Sequence, residues 1–156
     1  MAARKVPQNR QQTQPMPVLL DQVKHIVIDE LHQRLGELGF EGLRFRHGPV
    51  FRFIDAEGSR VTDLASRSGL TKQGIGDAVD ELATLGYVER QPAPADRRAK
   101  TVRLTPRGVE AQAAAARILQ QVERRWAKQY GGKQVDQLRH TLERIAANAE
   151  QRRRQG

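Results

Sequence analysis

Cationic side chains cluster in a short segment rich in turn-forming residues. The stretch PAPADRRAKTVRLT, residues 92–105, places Arg97, Arg98 and Lys100 between two short apolar runs. A turn favours residues such as proline and aspartate, but it does not need two adjacent arginines. An arginine at such a tip can enter the minor groove of DNA, where narrow A·T-rich segments concentrate negative potential. The segment therefore predicts contact with a polyanion, and a solvated turn is the alternative.

A second group of polar residues stands at the predicted start of a helix. Gln73 can pair bidentately with adenine, and Lys72 can reach guanine or a phosphate. Thr71, with the free amide groups of a helix start, suits a phosphate oxygen. Asp77 can accept a hydrogen bond from a cytosine amine or hold a neighbouring arginine. Ordinary solvated helix residues are the alternative at these positions.

Two glycines, Gly74 and Gly76, interrupt the same helix. Each costs a helix interior about 1 kcal/mol relative to alanine. Either the backbone approaches phosphates closely here, or the helix tolerates both glycines because its buried face holds it in place. The glycines also remove two side chains that could read bases.

The elements that must position these groups form a predicted helix-turn-helix. The first helix is expected to begin at a Thr62 cap and to end at Gly69, and Thr62 is also a candidate DNA contact. The second is expected to begin at a Thr71 cap and to end at Gly86. Their expected buried faces consist of Leu64 and Ala65 in the first helix and Ile75, Ala78, Val79, Leu82 and Leu85 in the second. Such a pair of helices can bind DNA or be purely structural.

A two-stranded hairpin is predicted directly afterwards. Residues 87–90 and 101–104 alternate and contain enough β-branched side chains to form strands, with the cationic segment between them. Asp96 is expected to shape the turn or to orient one arginine, while Pro92 and Pro94 stiffen the approach. A helix-turn-helix followed by such a hairpin is a winged helix, and the hairpin is its wing. Arg60 and Arg103 join Lys100 as expected phosphate neighbours.

Long helices are predicted on both sides of this lobe, and a short helix is predicted over residues 49–56. Apolar residues recur every three or four positions, which is the helical period. The expected stripes are Leu20, Val23, Val27, Leu31, Leu35 and Leu38 in the first long helix, Val109, Ala113, Ala116, Leu119, Val122, Trp126 and Tyr130 in the second, and the heptad-like set Val135, Leu138, Leu142, Ile145 and Ala149 in the third. So small a lobe cannot cover these stripes, so a second copy is expected to pair with them.

The predicted fold class is therefore mainly α, a winged helix-turn-helix lobe of three short helices and a β-hairpin flanked by long dimerisation helices. Residues 1–16 are expected to form a flexible basic tail, 17–39 a dimerisation helix and 40–105 the lobe. Residues 106–150 are expected to form the C-terminal dimerisation helices, and residues 151–156 a second basic tail.

The charge and composition of the chain indicate which class of partner it binds. The 156 residues carry a net charge of +9, and the sequence pI of about 10.8 is typical of a nucleic-acid binder. The chain has no cysteine, which excludes disulfides, thiolate metal sites and thiol redox sensing. No apolar run approaches the roughly 18 residues of a membrane span. We expect a soluble, cytoplasmic protein that does not act on membranes.

One stretch of about 50 residues resembles a known family. VTDLASRSGLTKQGIGDAVDELATLGYVERQPAPADRRAKTVRLTPRG is similar to the winged-helix core of the MarR family of bacterial transcriptional regulators. The Thr-Lys-Gln helix start, the Leu-Gly-Tyr-Val-Glu-Arg exit, the Asp-Arg-Arg wing and the Leu-Thr-Pro-Arg-Gly re-entry occur in order. The resemblance implies a homodimer that binds pseudo-palindromic double-stranded DNA. We expect this homodimer to act as a repressor.

The resemblance also implies a small-molecule effector, often an aromatic acid or phenol, bound between the dimer helices and the winged lobes. Phe45, Phe51 and Trp126, with Tyr130, are the candidate lining residues, although packing in the core is their alternative role. Lys24, Arg44 and Arg46 are candidates to hold an acid. The sequence does not name the ligand.

Other functions are less well supported by the sequence. The chain has no Gly-rich phosphate loop, and its serines have no His-acid partners nearby in sequence, so we expect no enzyme, no catalytic residues and no cofactor. The histidines are scattered, and no metal site is predicted. Aromatic residues make up only 4% of the chain, too few for an RNA-stacking surface. The main alternative is a winged-helix module that binds proteins without sequence-specific DNA binding.

Overall fold

The computed structural model describes residues 13–93 and 96–155, and their side chains over 13–92 and 100–152. The chain forms six α-helices, a 3₁₀ turn and a two-stranded antiparallel sheet within these residues. In chain order the elements are α1 (Met16–Glu37), the 3₁₀ turn (Phe45–His47), α2 (Gly48–Phe53), α3 (Val61–Ser68), α4 (Lys72–Thr84), β1 (Val88–Ala93), β2 (Asp96–Leu104), α5 (Pro106–Tyr130) and α6 (Gly132–Gln155).

Helices α3 and α4 form the predicted helix-turn-helix. Gly69 ends α3 in the left-handed conformation at φ 70°, which glycine adopts without a Cβ penalty. Thr71 caps α4, and its Oγ1 accepts from the backbone N–H of Gly74 at 3.1 Å. The expected Thr62 cap is wrong: Arg60 occupies the cap position, and Thr62 lies exposed in the first turn of α3. Val61 is already helical, so Thr62 lies two residues after the cap position and its hydroxyl cannot cap the helix.

The hairpin pairs Val88 with Leu104 and Arg90 with Val102, and both strands extend further than the sequence predicted. Ser59 adds a bridge to Val102 on the far side of β2. Strand β1 is therefore at the edge, where Pro92 is tolerated because its missing N–H faces no partner. The register shifts at Pro92 and Ala93, just before the tip. Pro94 lies outside the described residues.

The core of the lobe lies between α2, α3, α4 and the hairpin. Its buried residues are Val50, Leu64, Ala65, Ile75, Ala78, Val79, Leu82, Tyr87, Val88, Val102 and Ala111. The predicted faces of α3 and α4 are confirmed, except that Leu85 is half-buried. Helix α2 is shorter than expected, since Ile54 leaves the helical conformation at ψ 130°.

The long helices α1 and α5 pack together through a small second cluster. Leu31 and Leu35 of α1 contact Ala114 and Ile118 of α5. Glu30 also pairs with Arg125 at 2.5 Å across the same two helices. The N-terminal half of the predicted α1 stripe remains exposed in the single chain.

The face of α5 that is buried within the single chain differs from the predicted stripe, of which only Val122 is buried. The helix buries Ala111, Ala114, Ile118 and Val122, while Val109 and Leu119 are exposed and so are Ala113 and Ala116. The physical reason lies at the helix start, where Gly108 is so close to the carbonyl of Tyr87 that an added Cβ would lie 2.0 Å from the oxygen. This contact fixes the rotation of the helix and brings its small residues inward.

Helix α6 continues to Gln155 and includes residues assigned to the predicted basic tail. Glutamate, glutamine and arginine are good helix formers, so nothing in that segment ends the helix. Its apolar seam is open: Leu138 is 51% exposed and Ile145 60%. Among the described residues, no helix combines the length and apolar character needed to cross a membrane.

Candidate nucleic-acid interface

The N-terminal turn of α4 presents polar groups to solvent. Thr71, Lys72, Gln73 and Asp77 are all exposed, while Ile75 and Val79 on the opposite side are completely buried. The first N–H groups of a helix have no intrahelical acceptor, and here only that of Gly74 is taken by the Thr71 cap. The turn therefore combines free amides, one cation and one amide side chain on a rigid support.

Packing within the described chain does not require Gly76, and it restricts Gly74 only at the capping hydroxyl of Thr71. A Cβ at Gly76 would meet no atom within 4 Å, and one at Gly74 would meet only the Oγ1 of Thr71, at 3.1 Å. Neither glycine has a positive φ. Both interpretations that the sequence left open, close approach by an external partner and tolerance by a helix that its buried face holds in place, therefore stay predictions.

Two ion pairs hold the body of α4. Asp80 pairs with Arg90 of β1 at 2.6 Å, whereas among the described side chains Asp77 forms no ion pair. Glu81 accepts from the Nε2 of buried His47 at 2.8 Å and pairs with Arg46 at 2.5 Å. The hydrogen bond from His47 is the main cause that lowers the pKa of the Glu81 carboxyl, and Arg46 adds to it.

Sequence reasoning missed the contact between His47 and Glu81. The two residues are 34 positions apart, and no spacing rule connects a histidine in a 3₁₀ turn to a helix that distant. The other ring nitrogen of His47 has a local partner: the backbone N–H of Arg44 donates to Nδ1 at 3.1 Å.

The wing is described only in part. The backbone of β2 begins at Asp96, but the side chains of Asp96, Arg97 and Arg98 lie outside the described ones. Lys100 and Arg103 are exposed on β2, consistent with the phosphate neighbours expected from the sequence. The described part of β2 therefore carries two exposed cations.

Helix α3 is tied to the segment before it. Arg67 donates to the carbonyl of Phe53 at 3.0 Å and pairs with Asp55 at 2.8 Å. The hydrogen bonds from Arg67 and then Ser59 lower the pKa of Asp55. Thr62 stays exposed at the start of α3, as a DNA contact would require.

The three aromatic candidates for an effector pocket do not meet. Phe51 lines a cavity of about 70 Å³ between α1, α5 and the lobe, together with Leu35, Arg44 and His47. Phe45 is 58% exposed and lies 5.4 Å below the ammonium of Lys24.

Trp126 lies elsewhere, in grooves between α5 and α6 and beside α1. Within the single chain Trp126 therefore does not line the cavity beside Phe51, because the turn of α5 that carries it lies beyond that cavity, and a pocket that both residues line stays a prediction. Tyr130 lines the second of these grooves.

The small cavity contains one further titratable group. His32 lines it, and burial lowers the pKa of this imidazole, which Asp29 partly offsets. Across residues 13–93 and 96–155, no group of three or more His, Cys, Asp or Glu residues could hold a metal ion.

The order and packing of these elements define the class of protein, which is a winged helix-turn-helix lobe between long helices. A sequence model of the MarR family matches residues 41–99. CouR from Rhodococcus jostii RHA1, in a structure with p-coumaroyl-CoA bound, is 30% identical at a TM-score of 0.64, covering 83% of this chain and 90% of CouR. The chain belongs to the MarR family of transcriptional regulators.

Other solved structures agree. A MarR-family transcriptional regulator from Rhodococcus sp. RHA1 is 28% identical at a TM-score of 0.65, covering 86% of this chain and 96% of that one. MarR from E. coli, in its reduced form, shares the fold at 20% identity and a TM-score of 0.69, covering 85% and 96% of the two chains. No curated protein sequence matches the chain significantly.

Proposed function

We propose that this protein is a homodimeric, sequence-specific regulator of transcription that binds duplex DNA through α4 and the wing. The observation that carries the proposal is the exposed polar turn of α4, with Thr71, Lys72 and Gln73 on a helix whose opposite face is fully buried. A recognition helix reads base edges with its N-terminal residues. The net charge of +9 supplies the electrostatic attraction to phosphates.

Each candidate residue has a role in this proposal. Gln73 reads an adenine in the major groove, Lys72 contacts guanine or a phosphate, and the helix start at Thr71 holds a phosphate oxygen. Gly74 and Gly76 allow the backbone to come close to the DNA. The remaining assigned contacts are Thr62 and Asp77 near the helix-turn-helix and Arg97, Arg98 and Lys100 on the wing, with Asp96 shaping its turn.

Dimerisation supplies the second half of the DNA-binding surface. The seam of α6 and the N-terminal half of α1 are exposed in the single chain, and a second copy would bury both. Two linked lobes bind with a high effective concentration for the second contact. They would read half-sites of a pseudo-palindromic operator about 10 bp apart. Because the DNA it binds is in the bacterial cytoplasm, the proposal places the protein there.

A small effector is part of the proposal. CouR, the 30% identical relative, has p-coumaroyl-CoA bound in its structure, which supports an aromatic or acidic effector class. In this chain the cavity beside Phe51 and Arg44 lies between the long helices and the lobe. An effector that favours a lobe spacing mismatched to the DNA grooves would release the operator, so we propose a repressor.

The wing supplies the direct test of DNA binding. We expect Arg97→Ala with Arg98→Ala to weaken operator binding at least about tenfold, because two charge-assisted contacts in or near the minor groove are lost. A gel shift measures the change, and sedimentation checks that the dimer persists. Arg117→Ala with Arg124→Ala removes the same charge from exposed positions of α5 and serves as the matched control.

Two results would contradict the proposal. Equal losses in the wing and control pairs would mean that net charge alone binds DNA. Affinity for duplex DNA that does not change with salt would favour the alternative, a winged-helix module that binds proteins, because neutralising Z phosphates gives a log–log slope near −0.9Z.

A further inference from the structure

His47 lies at the junction between the long helices and the recognition helix. Its side chain is buried, with 1% of the residue exposed. His47 lines the cavity formed with Leu35 of α1, Phe51 of α2 and Ala111 of α5. It also lines the groove along α4 to which Asp80, Glu81 and Thr84 contribute.

The two ring nitrogens have opposite hydrogen-bonding roles. The backbone N–H of Arg44 donates to Nδ1 at 3.1 Å, so Nδ1 must be the unprotonated acceptor. Nε2 then carries the proton and donates to the Oε2 of Glu81 at 2.8 Å. Both nitrogens are thus satisfied, and the ring is held in one tautomer and one orientation.

Glu81 is the only residue of α4 in this contact, and its carboxylate joins two residues of the 3₁₀ turn. Oε2 accepts from His47 and Oε1 pairs with Arg46 at 2.5 Å. Hydrogen bonds to a charged partner are among the stronger ones in proteins. Residues of the 3₁₀ turn therefore hold α4 through the Glu81 side chain, one position after the Asp80 that pairs with Arg90 of the hairpin.

We propose that His47 is a positioning residue that fixes the orientation of α4 for DNA reading by acting through Glu81. This inference rests on the proposed function, because it assigns α4 as the reading element. Since the same ring forms part of the wall against α1 and α5, it ties the orientation of α4 to the helical body. His47 itself is buried away from the DNA-facing turn and touches no base.

Two substitutions of His47 test its two hydrogen bonds, to Arg44 and to Glu81, one at a time. Asparagine places an acceptor near Nδ1 but is too short to reach Glu81, whereas glutamine places an N–H donor near Nε2. We expect His47→Asn to lower the operator-to-random-DNA affinity ratio about tenfold, the loss of one charge-assisted bond. We expect His47→Gln to keep the ratio within about threefold of the parent value, because the donor to Glu81 remains.

Two substitutions of Glu81 test the same hydrogen bond from the side of its acceptor. Glu81→Ala and Glu81→Gln remove the same charge, but glutamine keeps an acceptor for Nε2–H. The alanine variant should match His47→Asn, the glutamine variant should stay near the parent, and the double variant His47→Asn with Glu81→Ala should be no worse than either single one. Because Glu81 is partly exposed, this pair carries the test even if His47→Asn does not fold.

Hydrogen exchange of the α4 amides in DNA-free protein separates this inference from the proposed function. We expect His47→Asn and Glu81→Ala to raise exchange along α4 about tenfold while that of α5 stays unchanged. Unchanged α4 exchange and an unchanged affinity ratio in both variants would overturn the inference. Faster α4 exchange in the two variants, together with a parent protein that shows no operator preference, would support the link between His47 and α4 and contradict the proposed function.

Discussion

Gly76 is a residue whose presence the chain itself does not require. A methyl group added there would meet no atom within 4 Å in the described structure. Glycine in a helix interior is destabilising by roughly 1 kcal/mol relative to alanine. The proposed close approach of DNA to α4 would explain this glycine, and tolerance by a helix held by its buried face is the alternative.

We expect Gly76→Ala to raise the free energy of unfolding by about 0.5–1 kcal/mol while lowering operator affinity. The two effects have opposite signs because the methyl group suits the helix and obstructs the DNA. Urea denaturation and a gel shift measure them. Gly36→Ala makes the same change in α1, where a Cβ also meets nothing within 4 Å, and should stabilise without affecting affinity. Unchanged affinity in Gly76→Ala would leave the glycine as tolerated drift.

Gly108 is the opposite case, a glycine that the packing of two elements requires. It is buried in the first turn of α5, where an added Cβ would lie 2.0 Å from the carbonyl oxygen of Tyr87. Gly108→Ala should lower the free energy of unfolding by about 1–3 kcal/mol, since backbone must move. Urea denaturation tests this, with Gly132→Ala at the open start of α6 as control. Equal stabilities would show that α5 is not seated on the hairpin as described.

The pairing of α1 with α5 should make stability depend on pH. The hydrogen bond from Arg125 is the main cause that lowers the pKa of Glu30 in the folded protein. The unfolded chain then binds the proton more readily, so this stabilisation is present above the ordinary pKa of about 4.5 and is lost as pH falls through the lower folded value. Stability should decline from about pH 5 towards pH 3.

Glu30→Gln should make that decline shallower, and Arg125→Gln should do the same because each removes one partner. The double variant should add nothing further. Urea denaturation at a series of pH values measures the slopes. If both single variants lose stability with falling pH as steeply as the parent protein, the assigned pair between Glu30 and Arg125 is contradicted.

At the level of elements, local chemistry predicted the starts of α4 and α5 and the ends of α3 and α4, although it missed the start of α3. Thr71 and Thr105 cap α4 and α5 as expected, each accepting from a backbone N–H three residues later. Gly69 and Gly86 end α3 and α4 with positive φ. These signals are local, so a single sequence contains them in full.

The rotation of α5 and the grip on α4 depend on distant partners. The sequence pattern favoured the larger side chains Val109 and Leu119, but the contact of Gly108 with Tyr87 turns the alanines inward. His47 meets Glu81 only once the 3₁₀ turn has packed against α4. Such contacts are set by tertiary packing, which periodicity does not encode.

For the whole molecule, the open apolar seam of α6 predicts assembly. Leu138→Glu with Ile145→Glu should give a monomer in sedimentation and weaken operator binding by about 100-fold, because the second lobe loses its effective concentration. His140→Glu with Ala147→Glu adds charge to the opposite face, at 100° per residue, and should leave both unchanged. A dimer that survives the seam substitutions would place the interface elsewhere.

The most direct test of the account is selection of bound duplexes from a randomised DNA library by the full chain. Two copies reading DNA through α4 and the wing should enrich one pseudo-palindromic sequence whose half-sites are about 10 bp apart. Recovery of duplexes that share no sequence, bound with one affinity, would contradict sequence-specific regulation as the function of this protein.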